Sequence, residues 1–283
     1  METRVSSPSK EVIIGDSRPT VLIGERINPT GKNKLAEALK AGDLEIVRKE
    51  ALAQVQAGAD MLDVNVGAFG VDEVSVLPKA VQAVMDTVDV PLCLDSSNPD
   101  ALEAALKVCK GKPLVNSVTG EEHCLKRVLP MVKEYGAAVI GMVQDDEGIP
   151  KDAERRVRIA HKIVEKVEAA GISREDLVID CLAFAVGAEP GSGVDVIEAI
   201  RRIKAELGVN MTMGASNVSY GLPDRELLNN AWVVTTVVAG ATCLIADVAK
   251  VRPIILAAEL VLGRDQRARR YIAAYRQRRK PDR

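Results

Sequence analysis

Acids and amides recur in this sequence directly after short apolar runs, and their spacing defines the chemistry available to the chain. They are Glu25 and Asn28, Asp63 and Asn65, Asp95, Asn116, Gln144, Asp180, Asn217 and Asp247. A carboxylate at the end of a buried run is costly unless something donates hydrogen bonds to it. No Lys or Arg stands at these run ends, which argues against a phosphate or carboxylate as the main ligand. An aminopyrimidinone, the polar edge of a pterin, has the complementary chemistry. Its amino group and ring N–H lie side by side and suit one carboxylate, while its ring nitrogens and carbonyl suit an Asn amide. Arg225 is the nearest cation and is expected to meet an anionic group at the pocket edge. A single Asp or Asn at such a place commonly caps the next helix, as Asn98 is expected to do. The whole set at one rim calls for a ligand.

Other reaction classes lack their parts. The two histidines, His123 and His161, fall inside helical segments, and there is no HExxH, P-loop, GxSxG or run-end lysine. The five cysteines are scattered without a CxxC, so they read as reduced thiols with no disulfide framework and no zinc site.

Positioning such a ring of side chains takes a regular scaffold. Eight apolar runs satisfy this: VLIGERI (21–27), MLDVNV (61–66), PLCLDS (91–96), PLVNSV (113–118), AAVIGMV (137–143), LVIDCLA (177–183), NMTMGAS (210–216) and CLIADV (243–248). Their near-continuous apolar character is that of parallel strands buried on both faces. Between them lie helical segments with proper ends. Asp43 and Gly58 bracket one; Asn98 and Pro99 open another; Gly171 and Gly240 close two more. Eight strands alternating with helices predict a (β/α)8 TIM barrel, with chemistry at the C-terminal strand ends. A doubly wound open sheet is the alternative, but no GxGxxG follows an early strand. The expected domains are an N-terminal extension at 1–20 closing the barrel bottom, the barrel at 21–262, and a basic C-terminal helix or tail at 263–283.

The composition agrees. Of 283 residues, 47% are hydrophobic but only two are Phe and one is Trp, so Ala, Val, Ile and Leu must build the core. No apolar run approaches the roughly 20 residues that span a bilayer. With no signal-peptide pattern at the start, the expected location is the cytoplasm. A net charge of −2 argues against nucleic acid as the main partner. The tail RDQRARRYIAAYRQRRKPDR (264–283) is the basic exception, read as a solvated helix in preference to a docking arm for an acidic partner.

The segments GERINPTGK (24–32), GADMLDVNVG (58–67), CLDSSN (93–98), LVNSVTGE (114–121), VIDCLA (178–183) and GASNVSYGLP (214–223) resemble the pterin-binding methyltransferases, in matching order, from about residue 21 to about residue 262. The resemblance implies a methyltetrahydrofolate:corrinoid protein methyltransferase. Such an enzyme moves the N-5 methyl group between methyltetrahydrofolate and the cobalt of a corrinoid (cobalamin) on a separate protein. It implies pterin contacts at Asp95, Asn116 and Asp180, with Asp63 and Asn65 lining the same pocket. It also implies a catalytic amide at Asn217, which would hydrogen-bond N-5, and an arginine at Arg225. A homodimer is expected, and no metal bound by this chain. Two departures stand out: Cys181 follows Asp180 where some relatives have Pro, and GAS replaces GLS. Dihydropteroate synthase fits less well, because NVGAFGVDE and SNVSYG lack that enzyme's phosphate-binding cations. A non-catalytic folate-binding subunit of a corrinoid methyltransferase complex is the reading from a different class. A barrel enzyme for another lactam-bearing substrate is an outlying one. No DxHxxG corrinoid motif occurs. Ser216 and Ser219 are expected to orient the Asn217 amide rather than react.

Overall fold

The computed structural model describes residues 1–278. Each predicted apolar run contains a strand: β3 (Val21–Ile27), β4 (Met61–Asn65), β5 (Leu92–Asp95), β6 (Leu114–Thr119), β7 (Ala138–Met142), β8 (Leu177–Asp180), β9 (Asn210–Thr212) and β10 (Cys243–Ala246). All are parallel, pair in chain order from β3 to β9, and β10 returns to pair with β3. The circle closes between β9 and β10, where Met211 O accepts from Thr242 N at 2.9 Å and Met213 O from Ile245 N at 3.0 Å. The fold is a (β/α)8 TIM barrel. The strand β9 is shorter than its apolar run because the chain leaves the ladder after Thr212, touching β10 again only where Gly214 bridges Ile245.

Helices follow the strands: α1 (Asn33–Ala41), α2 (Glu45–Ala57), α3 (Glu73–Met85), α4 (Pro99–Val108), α5 (Glu122–Glu134), α6 (Ala153–Ala169), α7 (Ser192–Leu207), α8 (Arg225–Ala239) and α9 (Val248–Val261). Asn98 caps α4 as expected, its side chain accepting from Asp100 N, and Asp152 does the same for α6 through Arg155 N. Asp43 does not occupy the N-cap position, which falls on Leu44; its carboxylate instead accepts from Glu45 N at 2.9 Å. Gly58, at φ 99°, ends α2 in a left-handed conformation that a side chain would strain.

Two apolar clusters hold these layers. The larger packs helices against the outer face of the strands. The smaller fills the lower barrel with Ile23, Met61, Cys93, Leu114, Ile140, Val178 and Cys243. It is completed by Val5, Val12 and Ile14 from an antiparallel hairpin, β1 (Glu2–Ser6) and β2 (Glu11–Gly15). Buried Asn210 Nδ2 locks the hairpin by donating to Thr3 Oγ1 and Ile14 O, each at 3.0 Å. The N-terminal end of the barrel is therefore solid, and only the C-terminal end opens.

Of the basic tail, residues 269–278 form α10 (Arg269–Arg278), whose Ala274 is buried. Arg270 pairs with fully buried Glu259, whose other oxygen accepts from Thr20 N at 2.5 Å. Residues 279–283 of that tail lie outside the described residues.

Ile14 is fully buried in the plug. Ile14→Ala is expected to lower the unfolding free energy by about 2–5 kcal/mol. Urea denaturation checks this, and a loss below about 1 kcal/mol would show that the hairpin does not share the barrel core.

Candidate active site

Side chains alternate along a strand, so the inward residue two positions beyond each packed one sits one layer nearer the mouth. Two residues past Ile23, Met61, Cys93, Leu114, Ile140, Val178 and Cys243 stand Glu25, Asp63, Asp95, Asn116, Met142, Asp180 and Ile245. All seven line a cavity of about 580 Å3. A single step along the barrel axis thus changes an apolar plug into a floor of four carboxylates and an amide. A recess of about 20 Å3 beside Gly15 and Gly240 at the closed end is water-sized.

On the floor, Asp63 and Asp95 from neighbouring strands are hydrogen-bonded to each other. Burial drives the Asp63 carboxyl well above its ordinary range, and the Asp95 charge pushes it further. Burial also raises Asp95, opposed by hydrogen bonds from Asn65 and Asp63. Two buried carboxyls in contact cannot both ionise readily, so the pair shares one proton. Asp63 is raised the further of the two, which leaves Asp95 the readier to accept a hydrogen bond. Asn116 Nδ2 stands 3.4 Å from Asp63 Oδ1, and the Cys93 thiol lies against the same carboxyl.

Across the floor, burial pushes Asp180 up to about 6, opposed by the backbone N–H groups of Leu182 and Gly214. The Leu182 bond is 2.7 Å long. Glu25 is also raised by burial, although Ser216 Oγ donates to it at 2.6 Å. These carboxyls need N–H donors from a ligand.

Asn217 opens a 3-10 turn, Asn217–Ser219, and is exposed to the cavity. A Cβ on Gly214 would lie 3.0 Å from Asn217 Nδ2, so glycine there lets the amide fold over the end of β9. Two serines hold this turn: Ser216 ties it to Glu25, and Ser219 Oγ donates to Ser216 O at 3.4 Å. Arg225 lines the cavity but spends two nitrogens on the turn. Nε donates to Ser219 Oγ at 3.0 Å and Nη2 to Ser216 O at 2.8 Å.

Two amides read as rim residues do not line the cavity. Asn65 stands beside Asp95 across the ladder, with Oδ1 accepting from Gly67 N at 2.8 Å, and Gln144 turns to Glu121 at 3.3 Å. Asn28 and Asp247 do line it. The expectation of a rim without cations needs correction. Lys32 and Lys250 border the mouth, reached from a loop and from α9. Arg26, inside β3, pairs with Glu50 at 2.7 Å and Asp247 at 3.5 Å. Lys32 Nζ donates to Arg26 O at 2.8 Å, and burial pushes its pKa down. Asn229 and Asn230 of α8 also line the cavity, each with a buried Oδ1 lacking a partner. An adjacent amide pair in the first turns of the helix after SNV was the available signal. His123 and His161 lie on outer helices, the latter 2.9 Å from Glu206.

A family model described as "Pterin binding enzyme" matches residues 24–247, nearly the whole barrel. The chain belongs to the pterin-binding enzymes. Among curated members, the methylcorrinoid:tetrahydrofolate methyltransferase of Eubacterium limosum is 31% identical over 267 residues, spanning 91% of this chain and 96% of that one. The methionine synthase of Mycobacterium leprae is also 31% identical, over 89% of this chain but only 22% of its own length. Dihydropteroate synthases of Xanthomonas albilineans (21% identity, TM-score 0.71, 93% and 99% of the two chains) and Vibrio fischeri (15% identity, TM-score 0.71, 92% and 98%) share the fold. Among the described residues of this pterin-binding enzyme, no group of His, Cys, Asp or Glu side chains is arranged to hold a metal ion. No described helix is long and apolar enough to cross a membrane.

The raised Asp180 has a stability consequence of definite sign. Its folded value of about 6 exceeds the ordinary 3.8, so its contribution is fully present below about 3.8 and is lost as pH rises through about 6. Asp180→Asn, which removes the buried charge, is therefore expected to stabilise the fold at pH above about 6 by on the order of 1–2 kcal/mol. The gain should vanish towards pH about 4. Urea melts of both proteins across that range check it; a gain independent of pH would sink the assignment.

Proposed function

We propose that this protein moves a methyl group between N-5 of methyltetrahydrofolate and the cobalt of a corrinoid carried on a separate protein. The observation that carries the reading is the step from apolar plug to acid–amide floor, with the Asn217 amide projecting above it. The likeness to the Eubacterium limosum enzyme over nearly its full length supports the same chemistry.

In this reading the pterin lies on the floor. Its amino group and ring N–H meet an ionised carboxylate, with Asp95, Asn116 and Asp180 as the contacting set and Asp63 and Asn65 supporting Asp95. The Asp63 proton keeps one carboxyl of the pair neutral, so Asp95 accepts without a second buried charge beside it. Asn217 donates a hydrogen bond to N-5. As the C–N bond breaks, the electron pair stays on N-5 and the methyl passes to cobalt. The hydrogen bond strengthens as that pair develops, which lowers the barrier. The proton that N-5 finally takes comes through water and nearby carboxyls, of which Glu25 is tied to the Asn217 turn through Ser216. Both directions cross the same transition state, so the same amide serves either. Arg225 then supports catalysis by holding the turn, besides facing the anionic part of the substrate.

Dihydropteroate synthesis is the weaker alternative. The loop at 66–72, which that reaction would need to furnish with phosphate-binding cations, carries none and exposes Phe69 instead. A homodimer belongs to the proposal as well, with α8 offering exposed Leu227, Ala231 and Val238 along one side.

Asn217→Ala is expected to bind methyltetrahydrofolate within about threefold of wild type while losing on the order of 10²–10³ in single-turnover rate. Free cob(I)alamin serves as acceptor, and the methylcobalamin spectrum is the readout. An unchanged rate in the folded variant removes Asn217 from catalysis. Wild-type protein that binds the folate but forms no methylcobalamin, even with corrinoid protein added, would establish the non-catalytic reading.

A further inference from the structure

Arginine is almost never fully buried without a partner of opposite charge. Arg156, on α6, is 0% exposed and is the largest of the fully buried side chains. Among the described residues it forms no ion pair. Its hydrogen bonds go to backbone carbonyls: Nε to Cys181 O at 3.0 Å, Nη1 to Asp152 O at 3.3 Å and Nη2 to Leu182 O at 3.4 Å. The Phe184 ring lies 6.0 Å from the guanidinium carbon. Burial disfavours its charge, and an apolar side chain of similar volume would hold α6 against the barrel at lower cost. A cation kept there must do something packing cannot.

The carbonyls it holds indicate what that is. Cys181 and Leu182 are the first two residues after β8, and Leu182 has φ 50°. The left-handed region costs a branched residue roughly 1–2 kcal/mol, so surrounding contacts must enforce it. In that conformation Leu182 N–H points back to Asp180 Oδ1 at 2.7 Å. A planar guanidinium reaches successive carbonyls with separate N–H groups, whereas a lysine ammonium is a single point.

We propose that Arg156 is a positioning residue that clamps the Cys181–Leu182 turn, so that Leu182 N–H fixes the Asp180 carboxylate for the pterin. This rests on the reading of Asp180 as a pterin contact. Arg156 lies beneath the turn and touches no substrate. Its effect passes through backbone geometry.

Four variants test this by methyltetrahydrofolate titration and steady-state kinetics: Arg156→Lys, Asp180→Asn, their double, and Arg156→Lys with Leu182→Gly. Arg156→Lys should raise Kd and KM about tenfold with kcat changed less than about threefold, because the Asn217 amide is untouched. Asp180→Asn should lose at least as much, and the double variant should lose no more than Asp180→Asn alone. Glycine accepts a left-handed turn unaided, so Leu182→Gly should restore most of the affinity lost in Arg156→Lys. If Arg156→Lys does not fold, that glycine double variant decides: recovery of folding with folate binding supports the clamp, and failure overturns it. Wild-type affinity in folded Arg156→Lys, losses that multiply in the Asp180 double, or no rescue by glycine would each overturn it. Asp180→Asn that binds like wild type would instead remove Asp180 from the site. Loss of affinity in Asp180→Asn with none in Arg156→Lys would remove Arg156 alone.

Discussion

The site depends on one constraint, the two-residue alternation of side chains along parallel strands locked in a closed ladder. The strands are paired with a stagger, Asp95 beside Asn116 and Met142 beside Asp180 but Asp63 beside Cys93 and Ile245 beside Ile23, and the second inward position of strand after strand still faces the one cavity. That is why Asp63, Asp95, Asn116 and Asp180, spread over more than a hundred residues of sequence, form one floor. A one-residue slip in any strand would point its carboxyl at the outer helices and an aliphatic residue at the ligand.

The floor is held in a state that disfavours charge. Hydrophobic packing beneath it, from the β1–β2 plug upward, excludes water and raises Glu25, Asp63, Asp95 and Asp180 together. The protein manages the cost locally: Asp63 and Asp95 hydrogen-bond to each other, and Asp180 takes backbone N–H groups. Cations that could neutralise the acids are kept to the mouth, where Arg26 is itself paired with Glu50 and Asp247. A ligand rich in N–H donors thus supplies what the fold withholds.

Much of this was legible in the sequence because parallel strands and their exits follow short-range rules. The eight apolar runs, the acids that end them and the Asn98 cap all read directly. The errors have physical reasons. Asn65 and Gln144 sit at strand ends, but side chain direction sent them to Asp95 and Glu121. Lys32 belongs to a loop, whose path no periodicity describes, so the spacing of strand ends does not reveal it. Arg156 looks like an ordinary charged residue in an amphipathic helix; only the packed structure shows it buried among carbonyls. The length of β9 was overread because Met213 and Ala215 are as apolar as strand residues and are buried after the ladder has ended.

The plug and the start of α10 have a consequence for how such a barrel can be used. Thr3 is tied to β9 through Asn210, and Arg270 reaches the entry of β3 through Glu259 and Thr20. The first strand of the hairpin and the beginning of the final helix therefore both attach at the solid face, opposite the mouth. The matched region makes up only 22% of the Mycobacterium leprae methionine synthase, so there the matching segment is a minor part of a longer chain. With the hairpin and the start of α10 both tied to the closed face, neither borders the pocket mouth.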